Sequence, residues 1–146
     1  MKNICGLFFA GLIIAVIYSC SSDSNSATTD ALADPMKNRG IGPVSSVSTG
    51  TLDHTLAATG KSIFESKCTA CHKIEVKHVG PALNGVTERR TPEWIMNMIL
   101  NPTEMTQKDP IAKDLLATYM APMANQNLTQ DEARAVLEFF RSNDNN

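Results

Sequence analysis

The sequence predicts an all-α fold of three to four helices. Apolar side chains recur at helical spacing in several segments, helix start signals precede them, and no stretch alternates convincingly as a strand. The first helix is expected over residues 56–67, where Leu56, Ile63 and Phe64 share one face. The last is expected after residue 129, with Val136 and Phe140 on its buried side.

Helix boundaries are signalled by capping residues and prolines. Residues 91–93 are Thr-Pro-Glu, the pattern of an N-cap, a first-turn proline and a first-turn acid, and Pro102 predicts the end of that helix. Asp109 and the proline after it repeat the signal before residues 111–119. The Thr-Gln-Asp-Glu run at residues 129–132 is a capping box that begins the last helix.

Residues 1–19 have the pattern of a signal peptide of the lipoprotein type. Lys2 gives a positive start, and the apolar residues 4–17 are too few for a convincing transmembrane span. The Ile-Tyr-Ser-Cys run ending at Cys20 resembles a bacterial lipobox, in which that cysteine becomes the acylated first residue. An ordinary signal peptide cut nearby, or an uncleaved anchor, is the alternative. Each of these three possibilities predicts that the domain is exported to the periplasmic side of a membrane.

The composition divides the rest of the chain in two. Residues 20–52 are rich in Ser, Thr, Asp, Asn, Gly and Ala, which predicts a flexible tether because such a segment buries little apolar surface. Residues 53–146 would form the folded domain, whose core is marginal without help from a bound group. The formal net charge of −2 gives no electrostatic reason to expect a nucleic acid partner.

A Cys-x-x-Cys-His run at residues 68–72 predicts covalent attachment of one c-type haem. The thiols of Cys68 and Cys71 can each reach one vinyl group of a single porphyrin. His72 follows them and would turn an imidazole nitrogen toward the iron as its proximal ligand. The cofactor expected from these residues is therefore one haem c.

Other uses of the two cysteines fit the sequence less well. The chain has four cysteines, and Cys5 and Cys20 belong to the leader, so no disulfide framework is implied. A thioredoxin-like redox pair would need a βαβ context, which the helical pattern lacks. Half of a zinc site would need two further ligands at short spacing, and only His54 and His78 are available.

From Gly60 to Arg141 the sequence resembles the class I cytochromes c, small bacterial proteins with a single haem. The resemblance lies in the spacing of Gly60, Phe64 and the haem motif, and in an aromatic pattern on the last helix. It implies the cytochrome c fold, in which helices wrap around the haem. It also implies that Gly60 permits the first and last helices to cross closely.

The resemblance also implies roles for individual residues. The carbonyl of Pro81, in a Gly-Pro turn, would accept a hydrogen bond from the second nitrogen of His72. Met123 would be the distal iron ligand, with Met120 as the alternative. The indole N–H of Trp94 would hydrogen-bond a haem propionate or lie at the surface. Two further basic residues could pair with a propionate or form a solvated charge pair: Arg89 and Arg90.

The function implied is single-electron transfer, with no substrate transformed. Histidine and methionine ligation leaves iron no open position and raises its potential. Expected partners are a membrane donor such as a quinol-oxidising complex, and an acceptor such as a terminal oxidase or a periplasmic reductase. The alternative is a haem enzyme or gas-binding haem protein with a displaceable distal ligand. A domain that works only within a larger complex is a third possibility.

Overall fold

The computed structural model describes residues 34–145, and all regular elements in that range are helical. The all-α class is therefore confirmed, with two short helices, Val86–Arg89 and Pro102–Lys108, that the sequence did not predict. No helix in residues 34–145 is both long and apolar enough to cross a membrane. A 3₁₀ turn at Pro35–Lys37 precedes the α-helices α1 (His54–Lys67), α2 (Val86–Arg89), α3 (Pro92–Leu100), α4 (Pro102–Lys108), α5 (Pro110–Tyr119) and α6 (Gln130–Asp144).

The capping residues chosen from the sequence do begin the helices. The hydroxyl of Thr91 accepts a hydrogen bond from the Trp94 N–H at 3.1 Å and caps α3. Thr129 and Glu132 form both halves of the capping box of α6. Pro102, expected only to end α3, also begins α4, since proline is well suited to the first position of a helix.

The first and last long helices, α1 and α6, cross at close range. A Cβ atom built on Gly60 would collide with the carbonyl of Ala135, so only glycine lets the two backbones approach this far. The close crossing implied for Gly60 is thus confirmed. Beside it, Phe64 of α1 packs against Phe139 and Phe140 of α6, with ring centroids 5.3 and 5.7 Å apart.

The segment 34–52 differs from the sequence prediction. It was expected to belong to a flexible tether, but it lies along α3 and is named here the strap. Val44 is buried, its N–H donates to the Asn97 side-chain oxygen at 3.0 Å, and the Asn97 amide donates back to the Val44 carbonyl at 2.9 Å. The folded domain therefore includes residues 34–52 and does not begin at residue 53.

The polar composition of the strap predicts a flexible segment, but the strap is held in place because side chains of α3 supply hydrogen-bond partners to its backbone. The Asn97 amide also donates to the Arg39 carbonyl, and the N–H of Val47 donates to Glu93 at 2.8 Å. The backbone N–H and C=O groups of the strap, which in a β-sheet would pair with another strand, here pair with side chains that are distant in the sequence. The expected signal peptide, the lipidation site Cys20 and the tether before residue 34 lie outside the described residues.

The carboxylate of Glu138 joins the start of α1 to α6. Its side chain is fully buried, and it accepts hydrogen bonds from the Asp53 N–H at 2.9 Å, from Arg141 at 2.8 Å and from Arg134. Burial by itself favours the protonated acid, but these donors outweigh it and hold the pKa of Glu138 below its ordinary value. A second guanidinium nitrogen of Arg141 donates to the Gly50 carbonyl at 2.8 Å and fixes the end of the strap.

Candidate functional site

The haem motif begins where α1 ends. The N–H of Cys68 donates to the Phe64 carbonyl at 2.9 Å, which completes the last turn of the helix. The N–H of His72 donates to the Cys68 carbonyl at 2.8 Å, so the chain makes one further turn. This turn brings both thiols and the imidazole to the wall of one cavity.

Both motif cysteines are free thiols in the structure. Cys68 is partly buried while Cys71 is exposed. Burial raises the pKa of the Cys68 thiol, and the neighbouring Cys71 adds to the effect. This direction is opposite to the lowered pKa that activates a nucleophilic or redox-active cysteine.

The imidazole of His72 is held by the loop that follows it. The N–H of Gly80 donates to the Cys71 carbonyl at 2.9 Å, which folds the chain back over the motif. Nδ1 of His72 then lies 3.2 Å from the Pro81 carbonyl oxygen, the contact that the family resemblance implied. A carbonyl partner keeps the proton on Nδ1 and leaves Nε2 as the free lone pair.

Burial lowers the pKa of His72, and the hydrogen bond to Pro81 opposes this only in part. A metal ligand must be the neutral imidazole, so the lowered pKa favours the form that can bind iron. Gly80 makes the fit tight, because a Cβ atom there would lie 2.5 Å from Cε1 of His72.

The cavity has a volume of about 550 Å³ and apolar walls from every long helix. Phe64 of α1, Val136 of α6 and Trp94 of α3 line it. Pro81, whose carbonyl contacts His72, lines it as well. Further lining residues are Ile95, Met98, Ile99, Ala112, Leu115, Leu116, Tyr119 and Phe140.

The two candidate distal methionines occupy different environments. Met120 ends α5 in the left-handed backbone region, with φ of 53°, and its side chain is 83% exposed. Met123 is partly buried, packs against the core and lines the cavity that His72 also lines. Only Met123 of this pair therefore has a thioether at the cavity wall.

Trp94 lines the cavity, but its indole N–H differs from the sequence prediction. The N–H donates to Oδ1 of Asp109 at 3.0 Å, in a buried contact, and so is not directed at a propionate. Asp109, whose side chain also caps α5, lies 15 residues away and was not identified as a site residue. Only the fold brings these two helix starts together.

Two arginines line the polar side of the same cavity. The guanidinium of Arg90 lies 5.3 Å from the Trp94 ring, a cation–π distance. Burial lowers the pKa of Arg90, the adjacent Arg89 adds to this, and Asp109 opposes it. Arg89 donates to the Asn84 carbonyl at 2.5 Å. Within residues 34–145, neither arginine lies in an ion pair with a carboxylate.

A second residue that sequence reasoning missed is Asp144, at the end of α6. It accepts hydrogen bonds from the N–H groups of Gly85 and Thr87, at 2.7 and 2.9 Å, and from the Thr87 hydroxyl. These contacts fix α2, which carries Arg89 to the cavity. An isolated acid near a chain terminus gives no sequence signal for such a role.

The donor set fits a single c-type haem. Two unpaired thiols, a neutral imidazole and a thioether all line one apolar cavity, and the two arginines that also line it could pair with the carboxylates of a porphyrin. In the described residues no cluster of three or more His, Cys, Asp or Glu side chains could hold a metal by itself.

The chain belongs to the cytochrome c family. The family model described as cytochrome c matches residues 57–144, which is more than half of the chain. Proteins of this family carry covalently bound haem c, and one haem suits a domain of this size. The family match and the fold together confirm the expected cytochrome c fold and cofactor.

Individual relatives agree with this assignment. Cytochrome c from Rhodothermus marinus is 43% identical, with a TM-score of 0.70, and the match covers 71% of this chain and 90% of that one. An engineered form of it bound to a carbene intermediate is also 43% identical, with a TM-score of 0.68, 72% of this chain and 92% of that one being covered.

A cytochrome c-553-like protein from Synechocystis is 35% identical over 46 residues, which are 31% of this chain. The match covers 44% of that relative, so the chain spans less than half of its length.

Proposed function

We propose that this protein carries single electrons through one haem c, ligated by His72 and Met123, and transforms no substrate. The observation that supports it best is the presence of both side chains on the wall of one apolar cavity beside the two thiols. The bound haem supplies a reversible one-electron couple. The family, whose members are generally electron carriers, supports the same class of function.

The residues of the chain have separate tasks in this proposal. Cys68 and Cys71 hold the porphyrin covalently, and the Pro81 carbonyl keeps the neutral His72 ring in one orientation. The apolar helices exclude water, which favours the less charged reduced iron and raises the potential. Arg89 and Arg90, which line the cavity, would pair with the propionates. None of these steps needs a large movement of the fold.

Electrons would enter and leave beside residues 73–79, which follow the haem motif directly. Lys73 and Lys77 are exposed in this segment, and Val76 and Val79 are exposed apolar side chains, 60% and 45% accessible. A small apolar surface beside lysines suits a brief, salt-sensitive encounter with an acidic redox protein. We propose a membrane quinol-oxidising complex as donor and a terminal oxidase or periplasmic reductase as acceptor.

Paired methionine variants test the ligand assignment and with it the carrier function. Met123→Ala should abolish the methionine–iron charge-transfer band of the ferric protein and lower the reduction potential, because water or a weaker ligand then replaces the thioether. Met120→Ala is the matched control and should leave both unchanged, since its side chain lies in solvent. Loss of the band in Met120→Ala with a normal Met123→Ala spectrum would contradict the assignment.

The location of the protein is proposed from the leader. We propose that residues 1–19 are removed, that Cys20 is acylated, and that the domain faces the periplasm from a membrane. Mass spectrometry of the mature N-terminus should find a diacylglyceryl cysteine at position 20, and Cys20→Ala should release the protein from membranes. A mature protein that begins elsewhere without lipid would refute the anchor but leave the carrier function intact.

A haem enzyme or gas-binding protein with a displaceable distal ligand is the second candidate. It is favoured by the irregular segment that carries Met123, which lies between α5 and α6 with no helix of its own. The engineered Rhodothermus relative, which is bound to a carbene intermediate, also supports this second candidate. Rapid carbon monoxide binding by the native ferrous protein would support this candidate. Carbon monoxide binding by Met123→Ala but not by the native protein would support the electron-carrier function.

A further inference from the structure

We propose that Asn38 of the strap is a positioning residue for the haem, acting through Asp109 on the cavity-wall Trp94. This inference rests on the electron-carrier function proposed above and adds a determinant of its reduction potential. Asn38 lies 71 residues before Asp109 in the chain, yet its amide donates to Oδ2 of that carboxylate at 2.6 Å.

The orientation of the Asn38 amide is set by a second contact. Its side-chain oxygen accepts a hydrogen bond from the Gly40 N–H at 2.8 Å, so the NH₂ group must face Asp109. The backbone carbonyl of Asn38 accepts from the Thr91 hydroxyl at 2.6 Å. One strap residue thus contacts the capping side chains of both α3 and α5.

Asp109 transmits this contact to the cavity. The carboxylate is 2% exposed, and its Oδ1 accepts from the Trp94 indole at 3.0 Å and from the Ala112 N–H at 2.8 Å. With Asn38 on Oδ2, both carboxylate oxygens have donors. Trp94 and Ala112 both line the haem cavity. Asn38 therefore holds in place two parts of the cavity wall that it does not itself touch.

Asp109 is hydrogen-bonded to a residue of the cavity wall, so its charge acts on an iron held in that cavity. Hydrogen-bond donors spread the charge of Asp109, and loss of the Asn38 donor concentrates that charge near the cavity. A more concentrated negative charge stabilises the ferric over the ferrous state. Asn38→Ala should therefore lower the reduction potential.

Two readouts on the purified holoprotein test the proposal without any redox partner. The chain has one tryptophan, so the indole N–H gives a single resonance in NMR spectra of the reduced protein. In Asn38→Ala, hydrogen exchange of this N–H should be about tenfold faster, as expected when one net hydrogen bond is lost. The reduction potential of Asn38→Ala should fall below that of the wild type.

Ser45 provides a matched control, because it is exposed on the same strap and no side-chain hydrogen bond joins it to Asp109. Ser45→Ala truncates a strap side chain in the same way, and it should leave indole exchange unchanged and the potential close to wild type. Equal shifts in Ser45→Ala and Asn38→Ala would overturn the proposal, as would wild-type values of both readouts in Asn38→Ala.

Asn38→Gln keeps the donor and should retain slow exchange and most of the potential. If Asn38→Ala does not assemble with haem, Asn38→Gln must restore both assembly and slow exchange, and a folded Gln variant with fast exchange would contradict the role. Because neither readout involves electron delivery, failure here is distinct from failure of the carrier function.

Discussion

His72 shows at the scale of a single residue how much geometry the neighbouring chain provides. The Pro81 carbonyl sets its tautomer, burial keeps its pKa low, and Gly80 leaves just enough space beside its ring. The local run that follows the haem motif therefore orients the proximal ligand without help from distant elements.

Gly80→Ala should disturb this site directly. The added methyl would press on the His72 ring, and overpacking of this kind costs about 1–3 kcal/mol. We expect less haem per polypeptide and an altered reduction potential, measured by absorbance against protein mass and by potentiometric titration. Pro81→Ala is the comparison, because it retains the carbonyl that accepts from His72. If Gly80→Ala has the haem content and reduction potential of the wild type, the loop can shift to accept the added methyl group and the close-packing argument is wrong.

The crossing of α1 and α6 is the main contact at the scale of secondary-structure elements. It brings the end of α1, and with it the haem motif, against the aromatic face of α6. Asp144 then joins the far end of α6 to the start of α2, the short helix that carries Arg89. One helix thus supports both the thiol side and the arginine side of the cavity.

Gly60→Ala should separate these two helices. The methyl would meet the Ala135 carbonyl, a backbone atom that cannot rotate away, so we expect a loss of at least about 1–3 kcal/mol in the free energy of unfolding. Denaturant titration of the ferric holoprotein measures it. Gly50→Ala makes the same change where nothing lies within 4 Å and should be almost neutral. Equal stability of the two variants would refute the close-packing argument.

The strap makes the whole molecule larger than its family core. The family model begins at residue 57, yet the strap contributes the buried Val44 to the core and binds polar side chains of α3. A chain that starts at residue 53 leaves the buried Asn97 without its strap partners. We expect it to lose about 2–4 kcal/mol of unfolding free energy, from one buried Val and several hydrogen bonds. Matching denaturation curves would show that the strap only rests on the surface.

Acid should destabilise the whole fold through Glu138. Its pKa is lowered in the folded state, so its stabilisation is present above its unfolded value of about 4.5 and is lost as the pH falls through the folded value. Glu138→Gln should lower stability at pH 7 and flatten this acid limb in thermal melts at several pH values. Glu65→Gln, at an exposed pair 3.9 Å from Lys61, should change little. An unchanged acid limb in Glu138→Gln would contradict the assignment.

Features that depend only on neighbours along the chain were predictable from the sequence. The haem motif, the Gly-Pro turn beside His72 and the caps of α3, α5 and α6 are short patterns whose chemistry is complete within a few residues. These predicted the cofactor, the helical class and the family correctly. The distal residue Met123 stays a prediction, favoured by its place on the cavity wall.

Contacts between distant segments could not be predicted from the sequence and are seen only in the folded structure. The strap has too few apolar residues to predict that it folds, because Asn97 and Glu93 of α3 supply the partners that its backbone needs. The indole of Trp94 meets Asp109 and not a propionate, since packing brings two helix starts together. Polar side chains can bond to many partners, so their choice depends on which atoms the fold places within reach.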